Sequence, residues 1–280
     1  MRLDLTKPED IFSHISKNHL LALLNLAHEY EPTLDVDEVY TDYCAGNPGL
    51  KDVYAEWAMS VKEYEPAFEL YGHDLYMNEA FQCWKLYSRR YLTLLRKYLA
   101  RPDCEIHMSD VKTVLDLGCG IGYTTVGLSS IFPDATIIGT NLSGTLQYKI
   151  AEDICRDFPN CIICDESHNA NLHKSPDLVF ASEFFEHLIE PLELLDNIIG
   201  KYRPKYFVFA NTFTKMSLGH FEKYFADDRS IDGKTMSREF IKRLRSHGYV
   251  KVSTKFFNNR PSIYMLADEK PAKMKPLFER

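Results

Sequence analysis

The first hundred residues and the rest of the chain carry different hydrophobic rhythms. In "DIFSHISKNHLLALLNLAHEY" the apolar residues Ile11, Ile15, Leu20, Leu23 and Leu24 recur at helical spacing behind Asp10, a capping residue. "NEAFQCWKLYSRRYLTLLRKYLA" repeats the pattern more strongly. With Asn78 as cap, Phe81, Trp84, Tyr91, Leu95 and Tyr98 lie broadly on one face, while Arg89, Arg90, Arg96 and Lys97 crowd another, and the helix ends near Pro102. Between the two helices "CAGNPGL" and several tyrosines mark a turn-rich connection without an internal repeat. From Lys112 the pattern changes to short apolar runs separated by helix-like segments: "KTVLDLG", "ATIIGTNL", "CIIC", "DLVFAS", "YFVFANTF", "YVKVSTKFF" and "SIYMLAD". Such alternation predicts an α/β architecture, a mostly parallel sheet covered on both faces. The last two runs, joined through "NNRP", read as an antiparallel terminal hairpin. The chain thus divides into a helical N-terminal cap or substrate segment, 1–108, and a sheet domain, 109–280.

Composition adds limits. A chain of 280 residues with 45% hydrophobic and 26% charged residues has enough material for a large core. No run approaches the roughly 18 apolar residues of a membrane span, and "MRLDLTKPED" lacks the apolar stretch of a signal peptide, so a cytoplasmic protein is expected. Seven scattered cysteines fit reduced thiols better than a disulfide framework. Cys161 and Cys164 form a CxxC, but in a strand, with no second pair to complete a zinc site. Charge is uneven: residues 1–110 hold 19 acids against 11 bases, and the remainder 21 against 22. Between Glu29 and Glu79 there are 13 acids and two bases, a surface that repels a phosphate backbone.

In doubly wound sheets ligands bind beyond the carboxyl ends of the strands, where the first strand turns through glycines into a helix. Here that turn is "VLDLGCGIGYTT", with Gly118, Gly120 and Gly122 supplying backbone freedom and close approach. Asp116 stands two residues ahead of Gly118. A pyrophosphate disfavours a carboxylate so near, whereas a ligand bearing an amine accepts it.

This stretch resembles the first motif of the class I S-adenosylmethionine-dependent methyltransferases, over about residues 112 to 268. The resemblance implies a Rossmann-like fold and S-adenosylmethionine as cofactor, held by Asp116, Gly118, Cys119 and Gly120. It also implies that Asn141, in "IIGTNLS", stands with Leu142 where the family has an acid accepting the ribose hydroxyls; the amide is a departure, a neutral acceptor in place of a charged one. Asp165, in "CDES", matches the acidic position for the adenine amino group, with Glu166 beside it. In "SPDLVFASEFFEHL", Ser182 and Glu183 fall beside the cofactor.

Methyl transfer depends on positioning, and on a base where the acceptor must lose a proton. Glu183, Glu186 and His187 follow the fourth strand. If the chain turns helical there, Glu183 neighbours both Glu186 and His187. His220 enters from the loop after the fifth strand. ExxEH with a distant histidine is similar to the metal-binding constellation of the polyprenyl-catechol O-methyltransferases and the small-RNA 2′-O-methyltransferases, so a divalent metal is possible. The favoured reading is metal-free, with His187 at the acceptor because imidazole titrates near neutrality, Glu183 beside it, and His220 lining the pocket.

No Asn/Asp-Pro-Pro-aromatic motif follows the fourth strand and no Pro-Cys dipeptide is present. With the acidic first part, this points to O- or N-methylation of a small or medium-sized acceptor rather than nucleic acid. Tyrosines of "FELYGHDLYMNEAFQCW" are candidates for the cavity mouth. The alternatives are a nucleic-acid or nucleotide-modifying enzyme using Arg89, Arg90, Arg96 and Lys97, and a catalytically silent cofactor-binding module.

Overall fold

A computed structural model describes residues 16–63, 65–166, 172, 174–215, 217–256, 258 and 260–267. Asp10, Ile11 and Ile15 of the first expected helix, and Asp268 at the end of the last expected strand, lie outside the described residues.

The first described helix, α1 (Lys17–Tyr30), opens at Ser16, whose backbone N–H and hydroxyl both lie 3.0 Å from His19 Nδ1. It buries Leu20, Leu23, Leu24 and Ala27. Helix α2 (Val36–Cys44) is capped by the Asp35 carboxylate, which accepts the Glu38 N–H. Helix α3 (Pro48–Lys62) starts on proline, whose fixed φ suits the first turn, and buries Leu50, Val53 and Trp57. After a 3-10 turn at Phe68–Gly72, a long helix runs as α4 (Tyr76–Cys83), a π turn (Trp84–Ser88) and α5 (Arg89–Leu99). The expected cap at Asn78 is corrected: Asn78 lies inside α4, fully buried, and its amide donates to the Val39 carbonyl at 2.9 Å. A side chain tying α4 to α2 replaces the local turn that the sequence suggested.

The sheet has strands β1 (Thr113–Leu117), β2 (Thr136–Asn141), β3 (Cys161–Asp165), β4 (Leu178–Ser182), β5 (Tyr206–Ala210), β8 (Tyr249–Lys251) and β9 (Ser262–Leu266). Their order is β3-β2-β1-β4-β5-β9-β8. The pairings among β1 to β5 are parallel; β9 pairs antiparallel with β5 and with β8, so the terminal hairpin forms as expected. Crossover helices α6 (Tyr123–Ile131), α7 (Leu146–Cys155) and α8 (Pro191–Tyr202) follow β1, β2 and β4. Because the chain winds outward in both directions from β1 and β4, a cleft opens above their carboxyl ends.

A small hairpin, β6 (Lys223–Ala226) and β7 (Arg229–Asp232), escapes the sequence pattern. Its two-residue turn places Asp227 and Asp228 at φ 48° and 62°, left-handed geometry more often given to Asn-Gly. Helix α9 (Gly233–Ser246) follows it. Leu23, Trp57 and Phe81 from the N-terminal helices belong to one continuous core with Val114, Val179 and Phe207 of the sheet. The helices therefore fix the roof of the cleft by burial rather than by a flexible linker. Among the described residues no helix is long and apolar enough to cross a membrane.

Candidate active site

The glycine turn between β1 and α6 holds Gly118, Gly120 and Gly122 at φ 62°, 56° and 89°. Each serves a different need. A Cβ on Gly118 would collide with the Phe184 ring, and one on Gly122 would lie 2.9 Å from the Ala151 Cα. A Cβ on Gly120 would meet nothing within 4 Å, because this glycine faces the open cavity.

Asp116 requires a correction. It does not line the cavity; it is 1% exposed beneath the turn, where one carboxylate oxygen accepts from Thr124 Oγ1 at 2.6 Å and Thr125 Oγ1 at 2.7 Å. Strand β1 is buried along its whole length, so a side chain at its end enters the protein rather than the cleft. Burial raises its pKa to about 7, against the opposing pull of the two threonine hydroxyls. Its role here is to tie the turn to the first residues of α6.

Asn141, at the end of β2, is also engaged. Its amide donates to the Gly120 carbonyl at 2.8 Å, and its oxygen accepts the Leu142 N–H at 2.9 Å. An aspartate could not make the first bond, which gives the departure at this position a structural use. Asn141 and the exposed Leu142 both line the cavity. Asp165 does not; its carboxylate accepts the Ser143 N–H at 3.2 Å, while the next residue, Glu166, faces the cavity. Burial, with the Asp165 charge adding to it, raises Glu166 to about 7.

The opposite wall begins after β4. Glu183 has φ 51°, and a 3-10 turn over Phe185–His187 follows, so the helical adjacency expected of Glu183, Glu186 and His187 does not form. Glu183 and Glu186 stay neighbours, both on Thr212, while His187 turns to the cavity. Glu183 accepts from Tyr91 Oη at 2.9 Å and Thr212 Oγ1 at 3.2 Å. Glu186 is fully buried and accepts the Thr212 N–H at 2.6 Å; burial and then the neighbouring Glu183 carboxylate push its pKa well up. His187 lines the cavity with Nδ1 3.3 Å from Tyr71 Oη. Burial and then His220 lower its pKa to about 3, so the expectation of titration near neutrality is corrected: it is an uncharged imidazole at pH 7.

His220 stands behind His187 rather than in the cavity wall, its ring centroid 4.8 Å away. Its Nδ1 lies 2.6 Å from the Lys215 carbonyl, and its own carbonyl accepts the Trp57 indole N–H at 2.8 Å. Gly219, at φ 82°, allows this loop to press on the site; an added Cβ would collide with Tyr71 Oη and His187 Nδ1.

These two walls and the N-terminal segment enclose a cavity of about 1000 Å³. Tyr71, Tyr76, Glu79 and Trp84 come from the 3-10 turn and the long helix, and Glu31 from the turn after α1. The π turn presents both Trp84 and Ser88 to the cleft, and Ser88 Oγ meets Ser182 Oγ at 2.8 Å.

The methyltransferase-domain family matches residues 83–253, more than half of the chain. The chain belongs to the S-adenosylmethionine-dependent methyltransferases. Over 84 residues it is 27% identical to a malonyl-[acyl-carrier protein] O-methyltransferase of Anoxybacillus flavithermus, which covers 30% of this chain and 32% of that protein. The chain thus spans about a third of the length of the curated relative it matches. An O-methyltransferase family protein from Burkholderia thailandensis is 12% identical with a TM-score of 0.48, covering 70% of this chain and 60% of that one. A SAM-dependent methyltransferase from Aquifex aeolicus is 16% identical with a TM-score of 0.42, over 66% and 95% of the two chains.

The chain has residues that suit its family's cofactor. Gly120 leaves backbone exposed to the cavity, Glu166 offers a carboxylate, and the Tyr123 hydroxyl, on a residue 4% exposed in the cavity wall, has no partner. Among the described residues no group of three or more His, Cys, Asp or Glu side chains is arranged to hold a metal. Cys161 has Cys155 as its neighbouring thiol rather than Cys164. Sequence reading missed Tyr91, Thr212, Ser88 and Glu79, which reach the site through tertiary contacts; a tyrosine and serine one helical turn apart in "YSRRY" were the available signal.

Proposed function

We propose that the protein methylates a small or medium-sized acceptor at oxygen or nitrogen, bound between the glycine turn and the wall of Tyr71 and His187. The observation that carries this reading is the enclosure: one cavity spans Gly120, Asn141 and Glu166 on one side and Tyr71, Glu183 and His187 on the other. The cofactor, when bound, supplies an electrophilic methyl group. Gly118, Gly120 and Asn141 shape its seat, with Asp116 supporting them from below, and Glu166 and Ser182 complete the rim. The N-terminal helices exclude water and orient the acceptor, which is where most of the rate of such a reaction arises. Uncharged His187 accepts a hydrogen bond from an acceptor's O–H or N–H, and Glu183, held by Tyr91 and Thr212, is the carboxylate placed to receive a released proton.

Calorimetric titration with S-adenosylhomocysteine, followed by turnover assays on acceptor panels, tests the reading. Micromolar binding is expected, and His187→Ala is expected to lower turnover at least about tenfold with S-adenosylhomocysteine affinity kept within about threefold. Binding without turnover across broad panels would point to a silent binding module instead.

A further inference from the structure

The charged lining of the cavity is of one sign. Glu31, Glu69, Asp74, Glu79, Glu166 and Glu183 contribute carboxylates, and no lysine or arginine is among the described lining residues. Cations near the lining are not themselves part of it: Lys215 acts on Glu79, Lys149 acts on Glu31, and Arg260 donates to Thr212 Oγ1 and the Asn211 carbonyl. Depth divides the acids. Glu31, Glu69 and Asp74 belong to the N-terminal roof, whereas Glu79 lies within the wall, bonded to the Tyr54 hydroxyl and, at 3.6 Å, to the Cys83 thiol.

Aromatic rings stand beside these carboxylates. Tyr71 and Tyr76 meet edge to face at 5.2 Å, and Trp84 lies 5.3 Å from Tyr123. Ring faces and desolvated carboxylates favour a cation together, and disfavour an anion together.

On the strength of the function proposed above, we propose that the acceptor is a cationic amine, taken up against Tyr71, Tyr76 and Glu79, and that the same surface rejects acceptors bearing a carboxylate or phosphate. This separates the chain's acceptor chemistry from that of acidic substrates, which need a guanidinium or ammonium partner in the site. Burial raises the pKa of Glu79, a cost that an incoming ammonium group would offset by restoring the favourable charged form.

The test uses the full chain saturated with S-adenosylhomocysteine, which lacks the sulfonium charge, so that acids serving the cofactor are already occupied. Three probes on one skeleton, 4-phenylbutylamine, 4-phenylbutanol and 4-phenylbutyrate, are titrated by calorimetry at pH 7. The amine is expected to bind at least about tenfold tighter than the carboxylate, with the alcohol between them, and Glu79→Gln to shrink the amine's advantage to about threefold or less. Equal or tighter binding of 4-phenylbutyrate, or no binding by any probe, overturns the proposal, and the wild-type series decides this without the variant. If S-adenosylhomocysteine itself does not bind, the underlying function fails and this inference with it; if it binds and the amine shows no preference, only this inference fails.

Discussion

The floor of the cavity is assembled from the first two strands and the turn between β1 and α6: Asp116 reaches Thr124 and Thr125, the Cys119 N–H donates to the Thr140 carbonyl, and Asn141 holds the Gly120 carbonyl. The far wall is assembled from distant ones. Tyr91 and Thr212 meet at Glu183, Ser88 meets Ser182, and Tyr71 meets His187. A floor of that kind is set once β1, α6 and β2 have come together, whereas the wall exists only after the N-terminal helices have packed on the sheet. On the function proposed above, cofactor seating and acceptor recognition are therefore separable by mutation, one tied to the turn and its two strands and the other to tertiary packing.

The hardest challenge to that separation is Gly118→Ala. The new methyl group collides with the Phe184 ring at a left-handed backbone position, so the floor is pushed into the wall. Loss of about 100-fold or more in S-adenosylhomocysteine affinity and about 2 kcal/mol in stability is expected by calorimetry and denaturant unfolding. Affinity unchanged by this substitution would break the comparison at its strongest point. Gly219→Ala asks the same of the wall, because its methyl group strikes Tyr71 and His187. Turnover is expected to fall by about tenfold while S-adenosylhomocysteine affinity stays within about threefold. Comparable losses in both would show that the two halves act as one.

The smallest effect concerns pH and sharpens the view of Asp116 as a support. Its pKa, raised by burial to about 7 from an unfolded value of about 3.9, makes the folded state favour the protonated acid. That contribution is complete below the unfolded value and is lost as pH rises through about 7. Asp116→Asn removes the titration, so between pH 6 and 8 the wild type should lose roughly 1–2 kcal/mol relative to the variant, read from paired unfolding curves in the absence of cofactor. His187, with its pKa lowered to about 3, loses stability in the opposite direction below about pH 6.5, but it does so equally in both proteins and cancels. A constant difference between the two curves would mean that Asp116 is ionised and solvated throughout.

The fold was legible where periodicity speaks for itself. Strands from "KTVLDLG" to "YFVFANTF" and the antiparallel end announce themselves as apolar runs, because both faces of such a sheet are buried. The β6–β7 hairpin was hidden because Asp227–Asp228 replaces the usual glycine signal and only Tyr224 and Ala226 of β6 are buried. Within the site, spacing revealed the glycine turn but not the direction of its neighbours. Asp116 and Asp165 stand at strand ends that motif order marks as ligand-facing, yet strand geometry turns one inward and engages the other with Ser143, and Glu166 takes the cavity position. At ExxEH, helical spacing implied a cluster of three; with Glu183 in a left-handed backbone, Glu183 and Glu186 instead share Thr212, and His187 separates from them to meet Tyr71. Contacts of that kind depend on Thr212 and Tyr91, which no local pattern links to the motif.

The π turn at Trp84–Ser88 has a consequence for how the roof could change over generations. A π turn behaves as a single extra residue accommodated in a helix, and one residue is about 100° of rotation about the axis. Loss of that residue would swing everything on the N-terminal side, including Glu79 and Tyr76, about a quarter of a turn away from the cleft while leaving Tyr91 and Glu183 in place. A lineage could thus exchange the part of the surface carried by α4 in one deletion, with His187, Glu183 and the glycine turn passed on untouched.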